Sequence, residues 1–115
     1  FREGTLDKGD AAAVARVAGI AAAKKTSDLI PLCHPLRLSG ASLEIVAHPP
    51  DQIEVIATVR CTERTGVEME ALTSAAVACL TLYDMLKSLD KSIVIGPIQL
   101  LEKTGGKSGD YKRDA

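Results

Sequence analysis

The sequence predicts an α+β domain in which two helices alternate with antiparallel strands, and three observations predict it. Apolar residues recur at helical spacing in two long segments, they alternate one by one in a pair of segments between them, and a further apolar run follows the second helix. The order is helix, strand, strand, helix, strand. One added N-terminal strand would complete a β-α-β-β-α-β arrangement.

Gly9-Asp10 opens the first helix, whose expected apolar face is Val14, Val17, Ala18, Ala21 and Ala22. Lys24-Lys25 lie near its end, where cations suit the helix dipole. Pro31 and Pro35 restrict Ile30 and His34 to extended conformations, so Leu32-Cys33-His34 should be a constrained, non-helical stretch. From about Arg37 to Ala47, Leu43, Ile45 and Ala47 alternate with Ser42, Glu44 and Val46. Past His48-Pro49-Pro50-Asp51, Ile53, Val55, Ala57, Val59 and Cys61 alternate with mainly polar residues, which makes a hairpin with one buried face. The second helix runs from about Val67 to Leu89 with an expected stripe of Leu72, Ala75, Ala76, Cys79, Leu80, Tyr83 and Leu86. A last strand is expected from about Ser92 to Glu102, and residues 103–115 read as a flexible loop and tail of a single domain spanning 1–115. This is the order of the ferredoxin-like split sandwich, with its N-terminal strand missing or shortened, because Phe1-Arg2-Glu3 is too short to supply it.

The composition narrows the function. With 14 basic and 15 acidic residues the formal charge is −1, so no global field recruits nucleic acid or an anionic membrane, and a small ligand is the better expectation. No uninterrupted apolar run approaches the roughly 20 residues that span a bilayer, and Phe1-Arg2-Glu3-Gly4 has no signal-peptide layout, so the chain reads as intracellular and cytoplasmic. Three aromatic residues and no Trp leave the core to Ala, Val, Leu and Ile, and burial between subunits is expected to supplement it. Cys33, Cys61 and Cys79 are far apart with no C-x-x-C pair, and the two histidines, His34 and His48, do not suggest a metal site.

The candidates for chemistry are polar residues at structured positions. Glu68 and Glu70 flank Met69 where strand pattern gives way to helix; they are either acid–base groups or helix N-terminal acids favoured by the dipole. Residues two apart lie about 200° apart around a helix, so the two share a pocket most easily if the helix starts after them. Asp84 and Lys87 stand at i, i+3, as a proton-transfer pair or an ordinary surface ion pair. Glu70 and Asp84 fall on nearly the same face, yet about 21 Å apart along the axis. A compact pocket in one chain cannot hold both. Lys8 could hold a phosphate or donate a proton, or be a loop lysine; His34 could act as acid, base or donor, or be bonded to backbone. Gly105-Gly106-Lys107-Ser108-Gly109 is not a Walker A loop, since Leu101 occupies the first Gly position and no helix follows; an anion-binding tail using Lys103 and Lys107, or an inert one, remains.

Five strings in order, Lys8-Gly9-Asp10, Leu29-Ile30-Pro31-Leu32-Cys33-His34-Pro35-Leu36, Thr65-Gly66-Val67-Glu68-Met69-Glu70-Ala71-Leu72-Thr73, Tyr83-Asp84-Met85-Leu86-Lys87 and Lys103-Thr104-Gly105-Gly106-Lys107-Ser108-Gly109, resemble the MoaC family, the cyclic pyranopterin monophosphate synthases of molybdenum cofactor biosynthesis. The resemblance covers nearly the whole chain. It implies a ferredoxin-like subunit in a homohexamer of three dimers with sites between subunits. It also implies a lyase reaction in which a cyclised dihydroguanosine triphosphate, made upstream by a radical SAM enzyme, becomes a pyranopterin with release of pyrophosphate. No cofactor of its own is implied, though Mg2+ could travel with the triphosphate. Carried over, Asp84 matches the principal acid–base position, Lys8 and Lys87 match lysines of proton transfer, and Leu32, Cys33, His34, Met69 and Glu70 match substrate-contacting segments. Glu68 would orient one of these groups, and Lys103 and Lys107 would meet the substrate's charge. The rival reading is a nucleotide-triphosphate sensor on the same fold, without chemistry; a purely structural assembly subunit is a further one.

Overall fold

The computed structural model describes residues 5, 6, 9–63, 65–105 and 109–113. Thr5–Leu6 (β1) and Gly9–Asp10 (β2) pair antiparallel with each other, directly ahead of Ala11–Lys24 (α1). Asp10 starts that helix: its carboxylate accepts hydrogen bonds from the amides of Ala12 at 3.0 Å and Ala13 at 3.2 Å, satisfying donors that have no intrahelical acceptor. A four-residue turn of helix, Thr26–Leu29 (α2), follows, which apolar periodicity does not signal. It is tied back by buried Thr26, whose hydroxyl donates to the carbonyls of Ala22 and Ala23 at 3.0 and 3.1 Å.

Leu38–His48 (β3) and Gln52–Cys61 (β4) form the expected hairpin, with Leu43 opposite Ala57 and Ile45 opposite Val55. These four side chains point one way, as period-two alternation requires, and pack on the core. Glu68–Leu86 (α3) then lies beside α1 over that same face. The core is Ala11, Ala15, Leu43, Ala78, Leu82, Met85 and Leu86, and Ile20, Ile45, Val55, Ala57 and Ile93 close around it. Helices and antiparallel strands combine as an α+β fold compatible with the ferredoxin-like split.

The helix faces differ from those expected. On α1 the buried residues are Ala11, Ala15, Gly19, Ala22 and Ala23, while Val17 is 69% exposed and Val14 is exposed as well. On α3 they are Glu70, Ser74, Ala78, Leu82, Met85 and Leu86, and Leu80 of the expected stripe is 59% exposed. The two helices meet through their smallest side chains. A Cβ added to Gly19 would fall 2.6 Å from Leu43 Cδ2 and 3.1 Å from the Ser74 carbonyl oxygen, so only glycine admits this approach. Ser74 is fully buried in the same seam, and its hydroxyl has no hydrogen-bond partner among the described residues. By length and composition α3 could cross a bilayer, but here its buried face is spent on α1 and the hairpin.

The last strand also differs. Residues 92–101 carry no ladder; only Glu102–Lys103 (β5) pairs, antiparallel to Tyr111–Lys112 (β6). Apolar alternation makes a segment strand-like, but a strand needs a hydrogen-bonding neighbour, and among the described residues the β3–β4 edges do not provide one for 92–101. Within 103–115, expected as loop and tail, the β5–β6 ladder is reinforced by Arg113, whose Nε donates to the Leu100 carbonyl at 2.8 Å.

Candidate functional site

Two groups of polar residues stand at opposite ends of α3. The first surrounds its N-terminus. The helix begins at Glu68 itself, so Glu68 and Glu70 point to different sides and do not form a paired carboxylate site. Glu70 turns inward and is only 4% exposed. The Cys33 thiol donates to Glu70 Oε2 at 3.5 Å, reaching it from the Pro31–Pro35 segment as that segment passes the helix. Burial pushes this thiol above its ordinary pKa, and the Glu70 charge and its hydrogen bond push the same way. Cys33 is therefore a neutral donor that holds a buried carboxylate, not a thiolate nucleophile.

Glu68 turns the other way, toward Lys103 of β5, whose ammonium lies 3.3 Å from Glu68 Oε1. That lysine's side chain is only 9% exposed, and its stem crosses Gly66 just ahead of the helix. Met69 is exposed between the two acids. His34 is exposed, and Leu32 is 95% exposed, so the tip of the proline-bounded segment faces outward. The segment thus presents Leu32 and His34 outward beside an inward Cys33.

The second group sits on the last turn. Lys87 Nζ and Asp84 Oδ1 are 3.0 Å apart, with both side chains well exposed. The turn after them is held by Asp90, whose carboxylate accepts from the amide and hydroxyl of Ser92, and by Tyr83, whose hydroxyl donates to the Lys91 carbonyl. Those two hydrogen bonds from Ser92 draw the Asp90 pKa below its ordinary value. Glu70 and Asp84 belong to one unbroken helix, so about 21 Å of axis separates the two groups. The structure joins Cys33 to Glu70, Glu68 to Lys103, and Asp84 to Lys87, and does not bring the first two pairs to the third. Lys8 and Lys107 lie outside the described residues.

The MoaC family matches residues 1–106, almost the full chain. The chain belongs to the MoaC family. It is 57% identical over 114 residues to a cyclic pyranopterin monophosphate synthase of Desulfitobacterium hafniense, covering 99% of this chain and 70% of that protein. The protein of that name from Herpetosiphon aurantiacus is 58% identical over 110 residues, 95% of this chain and 67% of its own length. That of Brevibacillus brevis is 54% identical over 113 residues, 98% and 71% respectively.

Within this MoaC-family chain, the close approach of Lys103 to Gly66 is a contact that sequence reasoning did not anticipate. A glycine just ahead of a helix is an available signal, but the side chain that needs its bare backbone, Lys103, comes from a distant strand. Chemically the N-terminal group offers a buried acceptor and a cation, and the C-terminal group offers a carboxylate and an ammonium in hydrogen-bond reach, a pair able to take up and return a proton.

Proposed function

We propose that this chain converts (8S)-3',8-cyclo-7,8-dihydroguanosine 5'-triphosphate into cyclic pyranopterin monophosphate and pyrophosphate, a lyase step of molybdenum cofactor biosynthesis carried out in the cytoplasm. The observation that carries the reading is identity of 54–58% to proteins named cyclic pyranopterin monophosphate synthase, over nearly all of this chain. The side chains supply what such a rearrangement needs. Opening a purine-derived ring requires a group that removes a proton and one that returns it, and Asp84 with Lys87 at 3.0 Å forms such a pair, with Lys8 as a further proton donor. Departure of pyrophosphate requires cations, a role given to Lys103 and Lys107, with Mg2+ accompanying the triphosphate where needed. Glu70, held by Cys33, can accept hydrogen bonds from ring N–H groups of a guanine-derived substrate, beside His34, Leu32 and Met69.

The distance along α3 supports a shared site. A substrate touching both Glu70 and Asp84 fits only if the N-terminal end of one α3 meets the C-terminal end of another, which supports a site shared between subunits; the homohexamer, a trimer of dimers, is what the family resemblance implies for that assembly. An upstream radical SAM enzyme supplies the cyclised nucleotide.

The test is pyrophosphate release from enzymatically prepared cyclic dihydroguanosine triphosphate, comparing the chain with Asp84→Asn. The expected result is release that the variant loses by about 10²–10⁴-fold or more. Tight binding without release, in chain and variant alike, would instead make this a nucleotide sensor.

A further inference from the structure

Gly66 stands where glycine has no conformational reason to be. Among the described residues, the glycines with positive φ are Gly96, Gly105 and Gly109, so the Gly66 backbone would accept an alanine. What an alanine would meet is Lys103. A Cβ built on Gly66 falls 2.8 Å from Lys103 Cε, 3.5 Å from Nζ and 3.6 Å from Cδ. Carbon atoms in contact sit about 3.5–4.0 Å apart, so the stem would have to move by roughly 1 Å. Its ammonium is 3.3 Å from Glu68 Oε1, so a displaced stem carries the charge away from its present position beside that carboxylate.

We infer that Gly66 is a positioning residue for Lys103: its bare backbone forms the trough along which the lysine stem lies, and this fixes the ammonium beside Glu68 at the start of α3. Three observations converge on one side chain. The stem lies over a glycine, the ammonium is paired, and the side chain is 9% exposed although lysine is among the residues least often buried. Glu68 sets where the charge rests, and Gly66 sets the path by which it arrives. The value of this placement for catalysis rests on the reading above, in which Lys103 meets the triphosphate. The contact is with the far end of a flexible side chain, so replacing Gly66 moves the lysine and leaves the fold in place.

The experiment compares the chain with Gly66→Ala, Lys103→Met and the double variant, after far-UV circular dichroism has established equal helix content. Mass spectrometry follows acylation of each lysine by an amine reagent, and steady-state assays give kcat and KM for the cyclised triphosphate. In the unaltered chain Lys103 should acylate more slowly than Lys87, whose side chain is 50% exposed. Gly66→Ala should raise the Lys103 rate several-fold and leave Lys87 unchanged. It should also raise KM roughly tenfold, the size expected when one charged hydrogen bond is lost, and the double variant should match Lys103→Met alone. Unchanged Lys103 acylation in Gly66→Ala, or losses that multiply in the double variant, would overturn the inference. If Lys103→Met leaves KM unaltered while Gly66→Ala still unmasks Lys103, the positioning holds and the assignment of Lys103 to the triphosphate fails.

Discussion

Replacing Gly19 by alanine probes the seam on which the rest of the domain depends. Two effects oppose each other. Alanine favours an interior helical position over glycine by about 1 kcal/mol, which alone would stabilise α1. Against this, the new Cβ lands 2.6 and 3.0 Å from the Leu43 methyls and 3.1 Å from the Ser74 carbonyl oxygen. Leu43 can rotate, but the carbonyl belongs to the backbone of α3 and moves only if the helices part. Overpacking of a tight core costs about 1–3 kcal/mol, so the net expectation is a loss of about 1 kcal/mol, or roughly 4 °C in Tm for a chain of this size. Thermal unfolding followed by circular dichroism at fixed protomer concentration measures it. Leu43→Val, which withdraws one methyl(ene) from the crowded spot, should be less damaging in the Gly19→Ala background than alone, with a coupling of at least about 0.5 kcal/mol. A Tm that rises by about 4 °C on Gly19→Ala, with no coupling to Leu43, would refute the reasoning, because helix propensity would then be the only effect at work.

Three other outcomes are expected. Asp10→Ala removes the side chain that caps Ala12 and Ala13 and should cost about 1 kcal/mol in urea unfolding, while Asp10→Asn should retain most of it. Because the folded-state pKa of Cys33 is raised, its contribution to stability is present below the ordinary thiol pKa of about 8.5 and is lost as pH rises through the folded value. Iodoacetamide should accordingly alkylate Cys33 slowly near neutral pH, and Glu70→Gln should speed the reaction without bringing it to the rate of a free thiol, since burial, the larger cause, persists; an unchanged pH–rate profile would count against the Glu70 contact. Finally, Glu70→Gln and Asp84→Asn protomers, each inactive alone, should regain about a quarter of full activity when co-assembled in equal amounts, as random pairing across shared sites requires. No recovery would argue that each site is built within one chain.

The hairpin, both long helices and their order were legible because period two and period 3.6 leave distinct marks over ten or more residues. The phase of the helices was not. Val14, Val17 and Leu80 are more apolar than the small residues of the seam and drew the expected stripe toward themselves, whereas the observed seam selects Ala11, Ala15, Gly19, Ser74 and Ala78 for their small size. Hydrophobicity ranks residues by transfer from water, but a close helix crossing ranks them by volume. At the site, the distance between Glu70 and Asp84 followed from spacing, whereas the roles expected of Asp84, Lys87 and Lys8 came from the family resemblance, since their spacing alone fits ordinary surface charges at least as well. The opposite facing of Glu68 and Glu70 depended on where α3 begins, and helix boundaries are the least certain part of any sequence reading. The contacts of Cys33 with Glu70 and of Lys103 with Glu68 join segments far apart in the chain, and no local pattern encodes them.

The unbroken course of α3 between Glu70 and Asp84 makes that helix a ruler. Inserting one residue between them would turn Asp84 by about 100° and advance it by about 1.5 Å, and inserting a full turn would restore its face but displace it by more than about 5 Å. Length changes in the 48–52 turn leave the spacing of Glu70 and Asp84 unaltered, but length changes in this rod do not. A chain that keeps the reach and facing of Glu70 relative to Asp84 must keep the number of residues between them, whatever it does with their identities.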